Sequence, residues 1–199
     1  YKLHDLTAAA LYGRYGSTEI IITHEFFPVT QMKEKAEQDN IPLYQWLDDK
    51  QLTVCNAPTV NTHDVVEWFT MMKKKGFRIK QIGQDRKFAR EFFGEAKQAG
   101  FKVVDQPQYY YVKSEGFSHI EKAAKDGNLY YMHSKAFEYC VGNVSAIEKT
   151  DDMVIYKKVI ETSRIDLFDA SVFACCRFLE SESKEEYLHK WFGDDVDDE

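Results

Sequence analysis

Three aspartates stand where an α/β chain could use them together. Asp5 precedes the first apolar, β-type run, Asp85 ends a central run, and Asp166 opens the last long helical pattern, with Asp169 one turn on. In α/β sheets, strand ends and helix N-termini converge on one edge. Carboxylates gathered there repel one another unless a proton or a cation neutralises them. Mg²⁺ takes oxygen ligands, usually one or two protein carboxylates plus a substrate phosphate. Two such ions roughly 3.5–4 Å apart would clamp the attacking and leaving oxygens of a phosphodiester. Each acid also has a plainer reading. Asp166 follows Ser163 by three residues, a capping-box position. Asp85 suits the cap of the helix after its strand, and Asp5 suits a turn. Spacing alone leaves capping and metal binding both open.

Other chemistries lack their residues. The sequence contains no G-x-x-x-x-G-K-S/T, so it carries no ATP-binding P-loop, and no G-x-S-x-G, so it carries no serine-hydrolase elbow. His24, His63, His119 and His133 show no H-x-x-x-H spacing and no pairing that suggests zinc. Cys55, Cys140, Cys175 and Cys176 form no C-x-x-C pair, and the last two sit together in an apolar segment. They read as reduced, buried thiols of an intracellular protein.

The charge is divided along the chain. Of the net −7, residues 180–199 carry all, with nine acids against two bases, so residues 1–179 are neutral. Residues 71–102 hold ten bases against three acids. An acidic total therefore does not exclude nucleic acid, because a local basic patch can supply phosphate contacts. The alternative for that patch is a solvated helix face. The 199 residues suffice for one domain with a full core. With 12 Tyr, 14 Phe and 3 Trp the chain is too aromatic for a disordered one. No apolar run approaches the 18 residues of a membrane span.

The elements that must position the acids follow from the pattern. Residues 6–13 and 18–27 read as strands around a Gly13–Gly16 turn, with Pro28 as the stop. A helical stretch over 30–50 is interrupted at Asn40-Ile41-Pro42, and 52–55 suits a short strand. Asn61 or Thr62 caps a helix with Val65, Val66, Trp68, Phe69 and Met72 on one stripe and Gly76 at its end. Phe77 to Gly83 reads as a buried strand, followed by a helix with Phe88, Phe92 and Ala96 in register and a strand over 101–104. Ser118-His119-Ile120-Glu121 spells a capping box for a helix ending at Gly127. Leu129–Met132 is expected as a strand, Lys135 to Asn143 as a helix and Met153–Val159 as a strand. The final helix opens at Ser163-Arg164-Ile165-Asp166 with Ile165, Phe168, Val172, Cys176 and Leu179 inward. A hairpin followed by βα units gives an α/β chain with a mixed sheet flanked by helices. The organisation expected is one domain over 1–180 and an acidic tail over 181–199.

Five segments in this order resemble the nuclease domain of the large terminase proteins, the packaging motors of tailed double-stranded DNA phages. Asp5-Leu6-Thr7-Ala8 is similar to the family's D-L-T-A at the second strand. Asp39 to Trp46, with Leu52-Thr53-Val54, is similar to its V-P-Y-x-x-W and L-x-x-T segment. Ile82-Gly83-Gln84-Asp85 resembles I-G-Y-D. Leu129 to His133 and Gly142-Asn143 resemble the stretch before the last strand. Arg164-Ile165-Asp166 with Asp169-Ala170 resembles K-I-D-x-x-D-A. The resemblance implies a ribonuclease-H-like fold and an endonuclease, dependent on two Mg²⁺ or Mn²⁺ ions, that cuts concatemeric viral DNA in the host cytoplasm. It implies catalytic roles for Asp85 and Asp166 and metal-ligand roles for Asp5, Asp85 and Asp166. Its implied partners are double-stranded DNA, portal protein, the small terminase subunit and an ATPase motor domain of the same full-length chain, with no membrane. The DNA backbone would be held by Lys73, Lys74, Lys75, Arg86, Lys87 and Arg90.

The sequence departs from the family at one point. The family's first-strand acid would fall just before Tyr1, so a further strand is expected upstream. Two rival readings stand beside the nuclease. One is a non-catalytic module that docks DNA or the portal, and the other is a resolvase- or transposase-type nuclease with the same core.

Overall fold

The computed structural model describes residues 7–38, 40–85, 90–149 and 151–192. Strands β1 (Thr7–Tyr15) and β2 (Thr18–Pro28) form an antiparallel hairpin in which Tyr15 faces Thr18. Its two-residue loop starts at Gly16, whose φ of 61° is the left-handed conformation that short hairpin loops require. The other edge of β2 is shared by two parallel strands. β3 (Leu52–Cys55) pairs with Glu25–Pro28, and β6 (Leu129–Tyr130) pairs with Glu19 and Ile20.

Both faces of this sheet are covered, so its strands read as apolar runs rather than alternating ones. Ala8 and Tyr12 of β1, with Ile21 and Phe27 of β2, face one core. Ala9 and Leu11, with Ile22 and Phe26, face the other. The second core is closed by α3 (Thr62–Lys74) and α4 (Arg90–Gln98), through Val65, Phe69, Phe92 and Ala96. The first is closed by α2 (Leu43–Asp48), α5 (Tyr110–Lys125), α6 (Lys135–Gly142) and α7 (Asp166–Phe192), with Trp46, Phe137, Leu167 and Val172 buried in it. Helix α1 (Met32–Gln38) adds Met32. All four cysteines are buried and free of disulfides, as their apolar surroundings suggested.

Beyond the hairpin sheet lie two strand pairs. β4 (Ile82–Gln84) and β5 (Val103–Asp105) are parallel, and β7 (Val144–Glu148) and β8 (Val154–Lys158) form an antiparallel hairpin. The mixed α/β class expected from the sequence is the one found.

Three local expectations differ. The strand expected from Phe77 shrinks to Ile82–Gln84, because only those residues meet β5, and no described strand pairs with the other edge of β4. Ser118 and Glu121 are interior to α5, which begins at Tyr110 after the extended Tyr109. Packing overrides the local cap signal there. Gly116 lets α5 approach α7 so closely that a Cβ would lie 2.7 Å from the Val172 carbonyl oxygen. Strand β7 was not anticipated. It is short and half exposed, and pairing with β8 rather than its own pattern makes it a strand.

Candidate active site

The edges of β1 and β4 that no described strand pairs with line one cleft of about 720 Å³. Ala170, Phe173 and Ala174 of α7 line it from one side, and Val65, Phe69 and Phe92 of α3 and α4 from the other. Asp85, Asp166 and Asp169 line the same cleft. Asp85 directly follows β4, whose last residue Gln84 is set by pairing with Asp105. Asp166 is the first residue of α7 and Asp169 is in the same turn, where unsatisfied amides favour negative charge. All three side chains are partly buried. Two of the three expected ligands, Asp85 and Asp166, thus line one cleft, and Asp169 lines it too. Asp5 lies outside the described residues, two positions before Thr7, which itself lines the cleft.

Asp169 is already engaged. Its Oδ1 accepts the Tyr156 hydroxyl of β8 and lies 2.5 Å from the Lys113 ammonium of α5. Burial, and then the Asp169 charge, raise the Tyr156 pKa, so that hydroxyl stays protonated and donates. Close to Asp166, Cys140 is buried on α6, with its Sγ 4.0 Å from Glu25 Oε1 of β2. Burial raises the thiol's pKa first, the Glu25 charge second, and the Asp166 charge adds to it.

The donors at this edge are hard carboxylate oxygens, the type a Mg²⁺ or Mn²⁺ ion takes. Among the described residues, however, no group of three or more His, Cys, Asp or Glu is placed to hold a metal ion. Asp85 and Asp166 suit such an ion in kind, and they do not complete its site.

The expected DNA contacts separate. Lys73 and Lys74 are in the last turn of α3 and Lys75 caps it, all exposed and all before β4 in the chain, whereas Asp85 follows that strand. The Lys73 ammonium lies 5.6 Å from the Phe101 ring centroid. Lys75, Arg78 and Lys80 line the cleft that Asp85 also lines. Arg90 is exposed at the start of α4, and Arg86 and Lys87 lie outside the described residues. Sequence reasoning missed Lys113, Tyr156 and Glu25. Only Glu25 left a signal, an acid inside an apolar strand, and it is fully buried.

The fold has known counterparts. The sequence model of the family described as terminase large subunit, endonuclease domain, matches residues 2–182. The large terminase of bacteriophage HK97 superposes with a TM-score of 0.78 at 18% identity, over 88% of this chain and 37% of that one. The large terminase nuclease from thermophilic phage G20c superposes with a TM-score of 0.51 at 9% identity, over 87% of this chain and 83% of that one. At these identities the likeness is one of fold, and this chain spans little more than a third of the HK97 protein. No curated protein matches it. The mixed sheet between helix layers agrees with these ribonuclease-H-like neighbours. The chain belongs to the endonuclease-domain family of the large terminase subunit.

Proposed function

We propose that this domain hydrolyses phosphodiester bonds of concatemeric double-stranded DNA, with Asp85 and Asp166 as ligands to divalent metal. The observation that carries the reading is that these two aspartates line one cleft of a terminase-nuclease fold. Mg²⁺ or Mn²⁺, as a pair of ions, would supply an activated water and stabilise the 3′-oxygen leaving group. The chain's own share is placement. Asp85 is fixed by the end of a paired strand and Asp166 by the first turn of a 27-residue helix. Lys73, Lys74, Lys75, Arg86, Lys87 and Arg90 would hold phosphates without reading sequence. Portal protein, the small terminase subunit and a motor domain in the same polypeptide would present the DNA, in the host cytoplasm.

The cleft supports the expectation of a further strand upstream. Its edges on β1 and β4 are free among the described strands, and apolar residues of α7 and of α3 and α4 contribute to its walls. A strand preceding β1 as its antiparallel neighbour would bridge the two sheets. Such a strand would bring the family's first-strand acid to this cleft.

The absence of a three-ligand cluster among the described residues favours a second reading, a docking module that does not cut. Mn²⁺ binding separates the two. It would be followed by electron paramagnetic resonance in this chain and in the polypeptide extended through the upstream residues. The nuclease reading expects tight binding in the extended form that Asp85→Asn removes. No binding in either form would leave the docking module.

A further inference from the structure

Asp169 lies where three elements meet. The Tyr156 hydroxyl comes from β8 and the Lys113 ammonium from α5, and both reach Oδ1 of Asp169 on α7. The ring of Tyr156 is stacked on Phe117 of α5, with centroids 5.6 Å apart and planes at 20°. The same ring packs edge-on to Phe168 of α7, with centroids 5.3 Å apart. The ammonium of Lys113 is 4.7 Å from the centroid of Tyr156 and 4.9 Å from that of Phe173, one turn beyond Asp169. Two rings and one carboxylate thus surround this cation, and its side chain is only 20% exposed. A carboxylate neutralised in this way attracts a second cation poorly. Asp166, three residues earlier on the same helix face, is the first residue of α7.

We propose that Asp169 is a positioning residue, a latch through which Tyr156 and Lys113 fix the first turn of α7 and thereby the carboxylate of Asp166. It divides the labour between two aspartates that the sequence presents alike: Asp166 for the metal, Asp169 for the scaffold. The β7–β8 hairpin then acts on the site through one hydroxyl. The hairpin is fastened to α5 independently, since the Val154 amide donates to Ser114 Oγ at 2.8 Å. Losing the Tyr156 hydroxyl would therefore free the latch without releasing the hairpin. The inference rests on the reading of Asp166 as a ligand, and its test separates the two.

The test is a double-mutant cycle of Tyr156→Phe and Asp169→Asn in the full-length terminase polypeptide. It reads hydrogen exchange of the amides of residues 166–173 and Mn²⁺ affinity. Each single variant is expected to speed that exchange about tenfold, the equivalent of one charge-assisted hydrogen bond, and the double variant no more than either alone. Mn²⁺ affinity should fall by the same few-fold factor in both singles. Lys113→Met gives the same test should Asp169→Asn fail to fold. The latch is overturned if Asp169→Asn abolishes Mn²⁺ binding while Tyr156→Phe preserves or tightens it, which is the behaviour of a ligand. Unchanged exchange in the singles also overturns it. Coupled exchange in a protein that binds no Mn²⁺ would sink the nuclease reading instead, and with it the assignment of the latch to metal positioning.

Discussion

Replacing Gly116 by alanine tests how tightly the helix that carries Asp166 is seated. In an exposed helix this change stabilises, because alanine is favoured over glycine by about 1 kcal/mol. At Gly116 the added Cβ would lie 2.7 Å from the Val172 carbonyl oxygen, 2.7 Å from Cys176 Sγ and 3.2 Å from Val172 Cγ1. Ordinary contact begins near 3.4 Å, so two of these three are short by about 0.7 Å. One belongs to the backbone of α7, which no rotamer change can move. Overpacking of this kind costs about 1–3 kcal/mol, and a backbone clash belongs at the upper end. Subtracting the propensity gain leaves a net loss of about 2 kcal/mol. Gly94, inside α4, provides the control, since nothing lies within 4 Å of a Cβ built there. Gly94→Ala should gain up to about 1 kcal/mol. Urea unfolding of the two variants against the parent measures both numbers, with equal m-values required for the comparison. A Gly116→Ala protein as stable as the parent would refute the close approach of α5 and α7.

Two further outcomes follow from other residues. His24 is buried on β2, 2.7 Å from Thr53 Oγ1 and stacked on Trp68, and burial pushes its pKa down from 6.5 to about 4. Between those pH values the unfolded chain takes up a proton that the folded chain refuses. Stability should therefore fall as the pH drops through this window, by about 3 kcal/mol at pH 4. His24→Gln should remove that part of the pH dependence, as read by urea midpoints at pH 7 and pH 4.5; an unchanged dependence would contradict it. For DNA, the proposed phosphate contacts predict that Lys75→Ala or Arg90→Ala lowers the slope of log affinity against log salt by about 0.9 each. Fluorescence anisotropy with a duplex in Ca²⁺ checks this, and an unaltered slope removes that residue from the interface.

Where the chain's local signals agree with its packing, the fold was legible. Gly16, ahead of a run rich in β-branched and aromatic residues, marks the first hairpin, and Asn61 caps α3 by accepting the His63 amide at 3.0 Å. Gly76, with a φ of 100°, ends α3 as its position suggested. Legibility failed where the partner is distant in sequence. The capping-box pattern at Ser118 is outvoted by the contact of Gly116 with α7, which is some 56 residues away at Val172. The run from Phe77 has the composition of a strand, yet only Ile82–Gln84 finds a neighbour. The same division holds at the site. Asp85 and Asp166 stand at element ends, which a sequence displays. The grip on Asp169 by Lys113 and Tyr156 joins three elements, and no local spacing encodes it.

Asp85 and Asp166 are proposed to hold the metal with which the domain cuts DNA. Nicking of supercoiled plasmid tests this most directly, in the polypeptide that includes the upstream residues, with Mn²⁺ and with EDTA. The account predicts nicking that requires Mn²⁺ and is lost in Asp85→Asn and in Asp166→Asn, both variants remaining folded. Nicking that persists in either variant, or that survives EDTA, would contradict it.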